Sequence, residues 1–183
     1  MKSEKEINHL SKFLSLVLRH KPETIGLTLE ENGYVKTDLL LEKCNEHGVS
    51  IDFETLKYVV KTNNKKRFGF SEDYDKIRAN QGHSTAIDLG LTPIQPPPIL
   101  YHGTAEANKD SILQQGIEKR NRHHVHLSQD KETAHNVGQR HGKPIIFEVE
   151  AGKMFEDGCV FYQSENGVWL TEFVPASFLS TIL

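Results

Sequence analysis

Arg19-His20, Arg67 and Arg122 are the side chains in this sequence best suited to hold a multiply charged anion, and Tyr101-His102-Gly103-Thr104 offers a different chemistry. A phosphate dianion is satisfied by several fixed Arg and His donors, because the planar guanidinium fork matches its oxygens and stays charged. In the second block, Gly103 would let a flat ring approach the main chain, and its N–H and C=O can pair with a carboxamide. His102 can donate to a ribose hydroxyl. Together the two sets point to an enzyme that brings a phosphate group to a nicotinamide nucleotide.

Each set also has a plainer explanation. Arg19 and His20 follow an apolar helix face, and adjacent helical side chains point about 100° apart. They address one ligand only where the helix ends; otherwise they complement the helix dipole. Arg67 follows Lys65-Lys66 and is either part of a solvated charge run or an inward residue of a strand whose lysines face outward. In Arg120-Asn121-Arg122-His123-His124-Val125-His126, a strand entering through Val125 puts Arg122, His124 and His126 on one face, unless the stretch is a polar sheet edge. The chain has 10 histidines, but none at zinc-finger spacing and no HExxH helix, so no metal is expected. His102-Gly103-Thr104 is also what a strand ending in a turn looks like. Arg78-Ala79-Asn80-Gln81-Gly82-His83-Ser84 has the composition of a loop, with donors at His83 and Ser84.

The elements that must carry these groups fall on either side of Thr92-Pro93-Ile94-Gln95-Pro96-Pro97-Pro98. Three successive prolines cannot continue a helix and favour an extended connector. The expected organisation is a lobe over 1–92, a proline-rich linker over 93–98 and a second lobe over 99–183. In the first lobe, Ile7, Leu10, Phe13, Leu14, Val17 and Leu18 recur at helical spacing, and Lys21-Pro22 ends that helix. Thr37 or Asp38 should cap a second helix stopped near Gly48, and Asp52 a third through Phe53, Leu56, Val59 and Val60. Arg67 to Phe70 and Tyr74 to Ala79 flank a Ser-Glu-Asp turn as a β-hairpin. Three helices and a hairpin are the outline of a winged helix, a common nucleic-acid-binding shape.

The second lobe reads as α+β with a small, mostly antiparallel sheet. The pattern predicts strands at Ile99–Tyr101, Val125–Ser128 and Ile145–Val149, and helices at Ala105–Gln115 and Asp130–Val137. Val160–Tyr162 and Val168–Leu170 form a hairpin about Glu165-Asn166-Gly167, and Gly116 is the expected C-terminal cap of the first helix.

With 183 residues, 37% of them hydrophobic and 26% charged, the chain has the composition of a globular protein. A net charge of -3 excludes a generic polyanion binder, so nucleic acid must be met by local patches. Cys44 and Cys159 are far apart and lack CxxC spacing, which fits packing thiols in a reduced, cytoplasmic setting. Met1 to Asn8 is charged, without the apolar core of a signal peptide. No run approaches the roughly 20 apolar residues of a membrane helix.

Five blocks, taken in order, resemble the RNA 2′-phosphotransferase family, also called tRNA 2′-phosphotransferases. They are Leu16-Val17-Leu18-Arg19-His20-Lys21-Pro22, Arg67-Phe68, Arg78 to Ser84, Tyr101 to Thr104, and His124-Val125-His126-Leu127-Ser128. The resemblance covers nearly the whole chain. It implies a winged-helix RNA-binding lobe joined to an ADP-ribosyltransferase-like NAD-binding lobe. It implies removal of an internal 2′-phosphate from RNA, such as one left at a tRNA splice junction, with NAD consumed as a substrate and no metal. Arg19, His20, Arg67 and Arg122 take the catalytic phosphate site; Arg122, two residues before His-Val-His, is preferred to Arg120. His102, Gly103, Thr104 and Ser128 line the NAD pocket.

On this resemblance, a phosphate oxygen attacks C1″ of the nicotinamide ribose and nicotinamide departs, leaving an ADP-ribosylated RNA. The ribose 2″-hydroxyl then attacks phosphorus, giving RNA with a free 2′-hydroxyl and ADP-ribose 1″,2″-cyclic phosphate. Many ADP-ribosyltransferases carry a His-Tyr-Glu triad; here the second position is His126 and the third falls near Val168, on an apolar strand. A phosphate nucleophile needs no base for the first step, so a missing Glu is tolerable and protein ADP-ribosylation is disfavoured. Two other readings share parts of this pattern: an ADP-ribosyltransferase that caps terminal phosphates of RNA or DNA, and a non-enzymatic, NAD-sensing winged-helix regulator. Nothing in the sequence demands more than a monomer.

Overall fold

Ser3 starts the first helix, α1 (Glu4–Arg19), through a reciprocal cap in which its hydroxyl accepts from the Glu6 amide while the Glu6 carboxylate accepts from the Ser3 amide. Leu10, Leu14, Val17 and Leu18 then fall on one face and are buried. The computed structural model describes residues 2–84 and 87–182. The chain divides into two units, Met1–Gly90 and Leu91–Leu183, each with its own apolar core.

In the first unit α1 ends at His20, and Pro22–Ile25 forms one 3-10 turn. Strand β1 (Val35–Lys36) leads into α2 (Thr37–Glu46), followed by α3 (Phe53–Thr62), β2 (Phe68–Phe70) and β3 (Lys76–Ala79). The strands form an antiparallel sheet in the order β1-β3-β2, with Val35 opposite Ile77 and Phe68 opposite Ala79. Asp52 caps α3 as expected, accepting from the Thr55 amide at 2.8 Å. The expected cap on α2 is corrected: Lys36 holds that position and Thr37 is the first helical residue. The Thr37 hydroxyl donates to the Tyr74 carbonyl at 2.8 Å, so it ties the helix start to the hairpin loop instead. Cys44 lies in this core, where burial pushes its thiol up to about 11.

The second unit runs β4 (Leu100–Ala105), α4 (Lys109–Gln115), β5 (Ile117–Glu118), β6 (Val125–Leu127), α5 (Lys131–Gly138), β7 (Pro144–Val149), α6 (Ala151–Glu156), β8 (Phe161–Gln163), β9 (Trp169–Thr171), β10 (Phe173–Val174) and β11 (Leu179–Ile182). The architecture is α+β, but the single small sheet expected from sequence is replaced by three antiparallel ones, β11-β7-β4, β6-β9-β8 and β10-β5. The helix expected over 105–115 starts later, because Ala105 completes β4 and residues 106–108 make a 3-10 turn before α4. Residues 93–98 lie along this unit: the Ile94 amide donates to the Phe161 carbonyl and the Pro98 carbonyl accepts from Gly152. No helix among the described residues is long and apolar enough to cross a membrane.

Candidate active site

Three of the sequence blocks meet within the first unit. Arg19 is the last residue of α1, and His20, with φ -123° and ψ -47°, has left the helix. The helix end thus frees the two adjacent side chains from the helical 100° offset. The segment after β3 returns to this point: the Ser84 amide donates to the Arg19 carbonyl at 2.9 Å, and the Ser84 hydroxyl lies 2.9 Å from His20 Nδ1. Arg67 sits just before β2, half-buried between the exposed Lys65 and Lys66 and the buried Phe68. Arg19 Nη2 reaches the Arg67 carbonyl at 3.4 Å, and Arg67 Nη1 lies 3.5 Å from the hydroxyl of Ser11, on α1. Arg67, Ser11 and Asn63 line a cavity of about 260 Å³. Arg19 and His20 are thus tied to Ser84, and Arg19 to the Arg67 carbonyl, while the Arg67 guanidinium reaches toward Ser11 in a cavity whose lining includes neither Arg19 nor His20.

The other two blocks meet within the second unit, where a cavity of about 560 Å³ is lined by His102, Gly103, Thr104, Arg120, Arg122 and His126 among others. The expectation that His102-Gly103-Thr104 ends a strand is corrected, because all three lie inside β4. Tyr101 exchanges both backbone hydrogen bonds with Ser128, at 2.8 and 2.7 Å, so its N–H and C=O point away from β7. Glu106 donates to Lys143 on the β7 side. Backbone direction alternates along a strand, so Gly103 points its N–H and C=O the same way as Tyr101. There the pairing with β6 has stopped: the next carbonyl, that of His126, receives the His102 ring at 3.0 Å. Gly103 thus presents a donor and an acceptor outside the β4–β7 ladder, beside the cavity.

Packing by itself requires glycine at 103. A Cβ there would lie 1.6 Å from the Ala134 carbonyl oxygen of α5. At Gly138, on the same helix, a Cβ would lie 2.8 Å from the Thr104 carbonyl oxygen. The two glycines let α5 seat directly on β4. Thr104 is buried, and its hydroxyl accepts from Asn108 at 3.0 Å. Ser128 is not among the residues lining the cavity; it fixes the edge of β4 through its backbone.

His102 is held at one of its two ring nitrogens. Nδ1 faces a carbonyl, which only accepts, so the ring proton is on Nδ1 and Nε2 carries a lone pair. Burial holds the imidazole below the ordinary value of 6.5; the carbonyl bond opposes this and the nearby Arg120 charge adds to it. A neutral His102 accepts a hydrogen bond from a hydroxyl through Nε2. Arg122 Nη1 lies 3.1 Å from His126 Nδ1, and an arginine only donates, so the His126 proton is on Nε2. Arg120 adopts φ +53°, an uncommon conformation for a residue with a side chain. Both arginines line the cavity, and Arg122 is the one bonded to the His-Val-His strand. His124 packs edge-on against Tyr162, and its burial lowers its pKa, partly offset by Glu172. Directly opposite His126 on β9 is Leu170, an apolar residue.

Residues 4–173 match the family described as RNA 2′-phosphotransferase, Tpt1 / KptA family. A probable RNA 2′-phosphotransferase from Fusobacterium nucleatum is 54% identical over 171 residues, covering 93% of this chain and 96% of its own length. Proteins of the same description from Flavobacterium johnsoniae and Rhodopirellula baltica are 53% identical over 170 residues and 50% identical over 181. They cover 93% and 98% of this chain, and the same shares of their own lengths. With a match spanning both units, the chain belongs to the RNA 2′-phosphotransferase family.

Proposed function

We propose that this protein removes an internal 2′-phosphate from RNA by transferring it to NAD, releasing nicotinamide and ADP-ribose 1″,2″-cyclic phosphate. The observation that carries the NAD half is the backbone of Gly103: an N–H and a C=O left outside the ladder, beside a cavity, complement the C=O and NH₂ of a carboxamide. His102 Nε2 would accept from a ribose hydroxyl, and Arg120 and Arg122 supply cationic donors at the same cavity. NAD, consumed as a substrate, would provide the electrophilic C1″ and a leaving group that departs as a neutral ring.

The RNA half rests on Arg19, His20 and Arg67 of the first unit, and the family resemblance assigns Arg122 of the second unit a phosphate role as well. A 2′-phosphomonoester carries between one and two negative charges near neutral pH, with a second pKa near 6, and needs no base to act as a nucleophile. A phosphate oxygen forms a bond to C1″ as the C1″–N bond breaks, and that electron pair stays on the nicotinamide nitrogen. The ribose 2″-hydroxyl then gives up its proton as its oxygen bonds to phosphorus, and the bond to the RNA 2′-oxygen breaks. A proton reaches that oxygen with His20 as the general acid. The arginines orient the phosphate in the first step and stabilise charge on phosphorus in the second.

The order helix, strand, helix, helix, strand, strand in the first unit supports a winged-helix RNA-binding lobe, and the β4 corner supports an ADP-ribosyltransferase-like second lobe. The test is a short RNA bearing one internal 2′-phosphate, incubated with and without NAD and read by mass spectrometry. NAD-dependent loss of the phosphate with appearance of the cyclic phosphate is the expected result. A stable ADP-ribosylated RNA, or no change in either sample, would reject it.

A further inference from the structure

Arg67 projects from a stretch of backbone that would not hold its shape unaided. Lys66, immediately before it, has φ +42°, a left-handed conformation that residues with a Cβ avoid. Such a residue persists only where its surroundings over-determine it.

Two asparagines do so here. Asn80 is 6% exposed and directly follows β3. Its Nδ2 donates to the Lys66 carbonyl at 2.8 Å, and its own amide donates to the Arg67 carbonyl at 2.9 Å. From the other side, Asn63 Oδ1 accepts from the amides of Lys65 at 3.2 Å and Arg67 at 3.3 Å, while Asn63 Nδ2 donates to the Ser11 hydroxyl at 2.8 Å. The Lys66 amide closes the turn on the Asn63 carbonyl at 2.8 Å. The peptide units on both sides of Lys66 are therefore pinned, and the Arg67 backbone is held at both its N–H and its C=O. The Arg67 carbonyl also receives Arg19 Nη2, so the same clamp fixes an anchor for the second arginine.

We propose that Asn80 is a positioning residue of the phosphate site: its side-chain amide holds Lys66 in the left-handed conformation and thereby sets where Arg67, and through its carbonyl Arg19, present their guanidinium groups. This rests on the assignment of Arg67 to phosphate. Asn80 itself touches no substrate. Its block of sequence, Arg78 to Ser84, thus serves the site at both ends, with Asn80 on Arg67 and Ser84 on Arg19 and His20.

The test measures kcat/KM on a 2′-phosphorylated RNA with NAD, and the thermal midpoint, for Arg67→Ala, Asn80→Ala, Lys66→Gly and Asn80→Ala/Lys66→Gly. A displaced catalytic group typically costs on the order of 10²-fold, and Asn80→Ala should fall toward that. Glycine enters the left-handed region without the Cβ penalty, so adding Lys66→Gly should recover about tenfold of the loss, whereas Lys66→Gly alone should stay near wild type. A structural role alone would lower the midpoint without this recovery of rate. Asn80→Asp keeps the shape and lacks the donor; it takes the place of Asn80→Ala if that variant does not fold. Activity within about twofold of wild type in the Asn80 variant, or no recovery with Lys66→Gly, overturns the proposal while Arg67→Ala remains inactive. An active Arg67→Ala would instead overturn the phosphate assignment on which it rests.

Discussion

The two units present their candidate groups by opposite means. In the first, long cationic side chains are carried on backbone whose carbonyls and amides are tied by Asn63, Asn80 and Ser84. Space around Arg67 is left open, and what is fixed is the origin of each side chain. In the second, the important surface is backbone itself, and it is fixed by contact: α5 sits on β4 so closely that neither Gly103 nor Gly138 tolerates a Cβ without a shift. A site built from tethered charges loses function when a side chain is cut, with little loss of fold. A site built from close-packed backbone loses both together.

Gly103→Ala should give the largest effect. The added carbon would lie 1.6 Å from a backbone oxygen, so α5 must move off β4. Overpacking typically costs about 1–3 kcal/mol and occasionally more; displacing a helix backbone belongs at or beyond the upper end. Thermal unfolding should show a large drop, with activity lost in parallel. A normal midpoint would mean that the contact is looser than described and would erase the contrast between the units.

Arg122→Ala tests whether charge can be removed from the second unit as freely as from the first. Arg122 is exposed, and its Nη1 bond to His126 is a side-chain contact. The variant should keep its thermal midpoint and lose roughly 10²–10³ in rate, the usual cost of removing a transition-state donor. Arg120→Ala measured beside it decides between the two arginines: wild-type activity in Arg122→Ala with loss in Arg120→Ala would transfer the role. A smaller and more selective effect is expected from His20→Ala. It should slow the second step more than the first, so that ADP-ribosylated RNA accumulates in a single-turnover time course. An equal slowing of both steps would leave His20 as a binding group.

Local patterns were legible in the sequence. The α1 stripe from Leu10 to Leu18, the cap at Asp52, the helix starting near Asp130, and the hairpins β2–β3 and β8–β9 each depend on residues a few positions apart. The short elements β1, β5 and β10, of two residues each, carry no period to read. The site was legible as residue types and order, but not as mechanism. Nothing near Gly103 announces Ala134, and nothing near Thr37 announces the Tyr74 carbonyl that takes its hydroxyl away from the cap. The His102 tautomer was not legible for the same reason, since the carbonyl that sets it belongs to His126, on another strand. Asn80 read as part of a loop because its partner, Lys66, lies across the hairpin.

The smallest expected effect follows from His102 and separates packing from charge once more. Its pKa in the fold lies below the ordinary 6.5, chiefly because burial disfavours the imidazolium. In the unfolded chain the ring takes up a proton near 6.5, while in the fold it resists until a lower pH. Between those two values the unfolded state binds more protons, so stability rises with pH there. The contribution is fully present above about 6.5 and is lost as pH falls toward the lowered value. Wild-type protein should therefore lose thermal stability on acidification below 6.5 more steeply than His102→Asn, which has nothing to titrate at that position. His124 is also held low by burial, though only half-buried, and His124→Gln should flatten the profile less. Identical pH profiles for wild type and His102→Asn would mean that the ring is not held neutral by its surroundings, and with it would go the Nε2 lone pair assigned to the ribose hydroxyl.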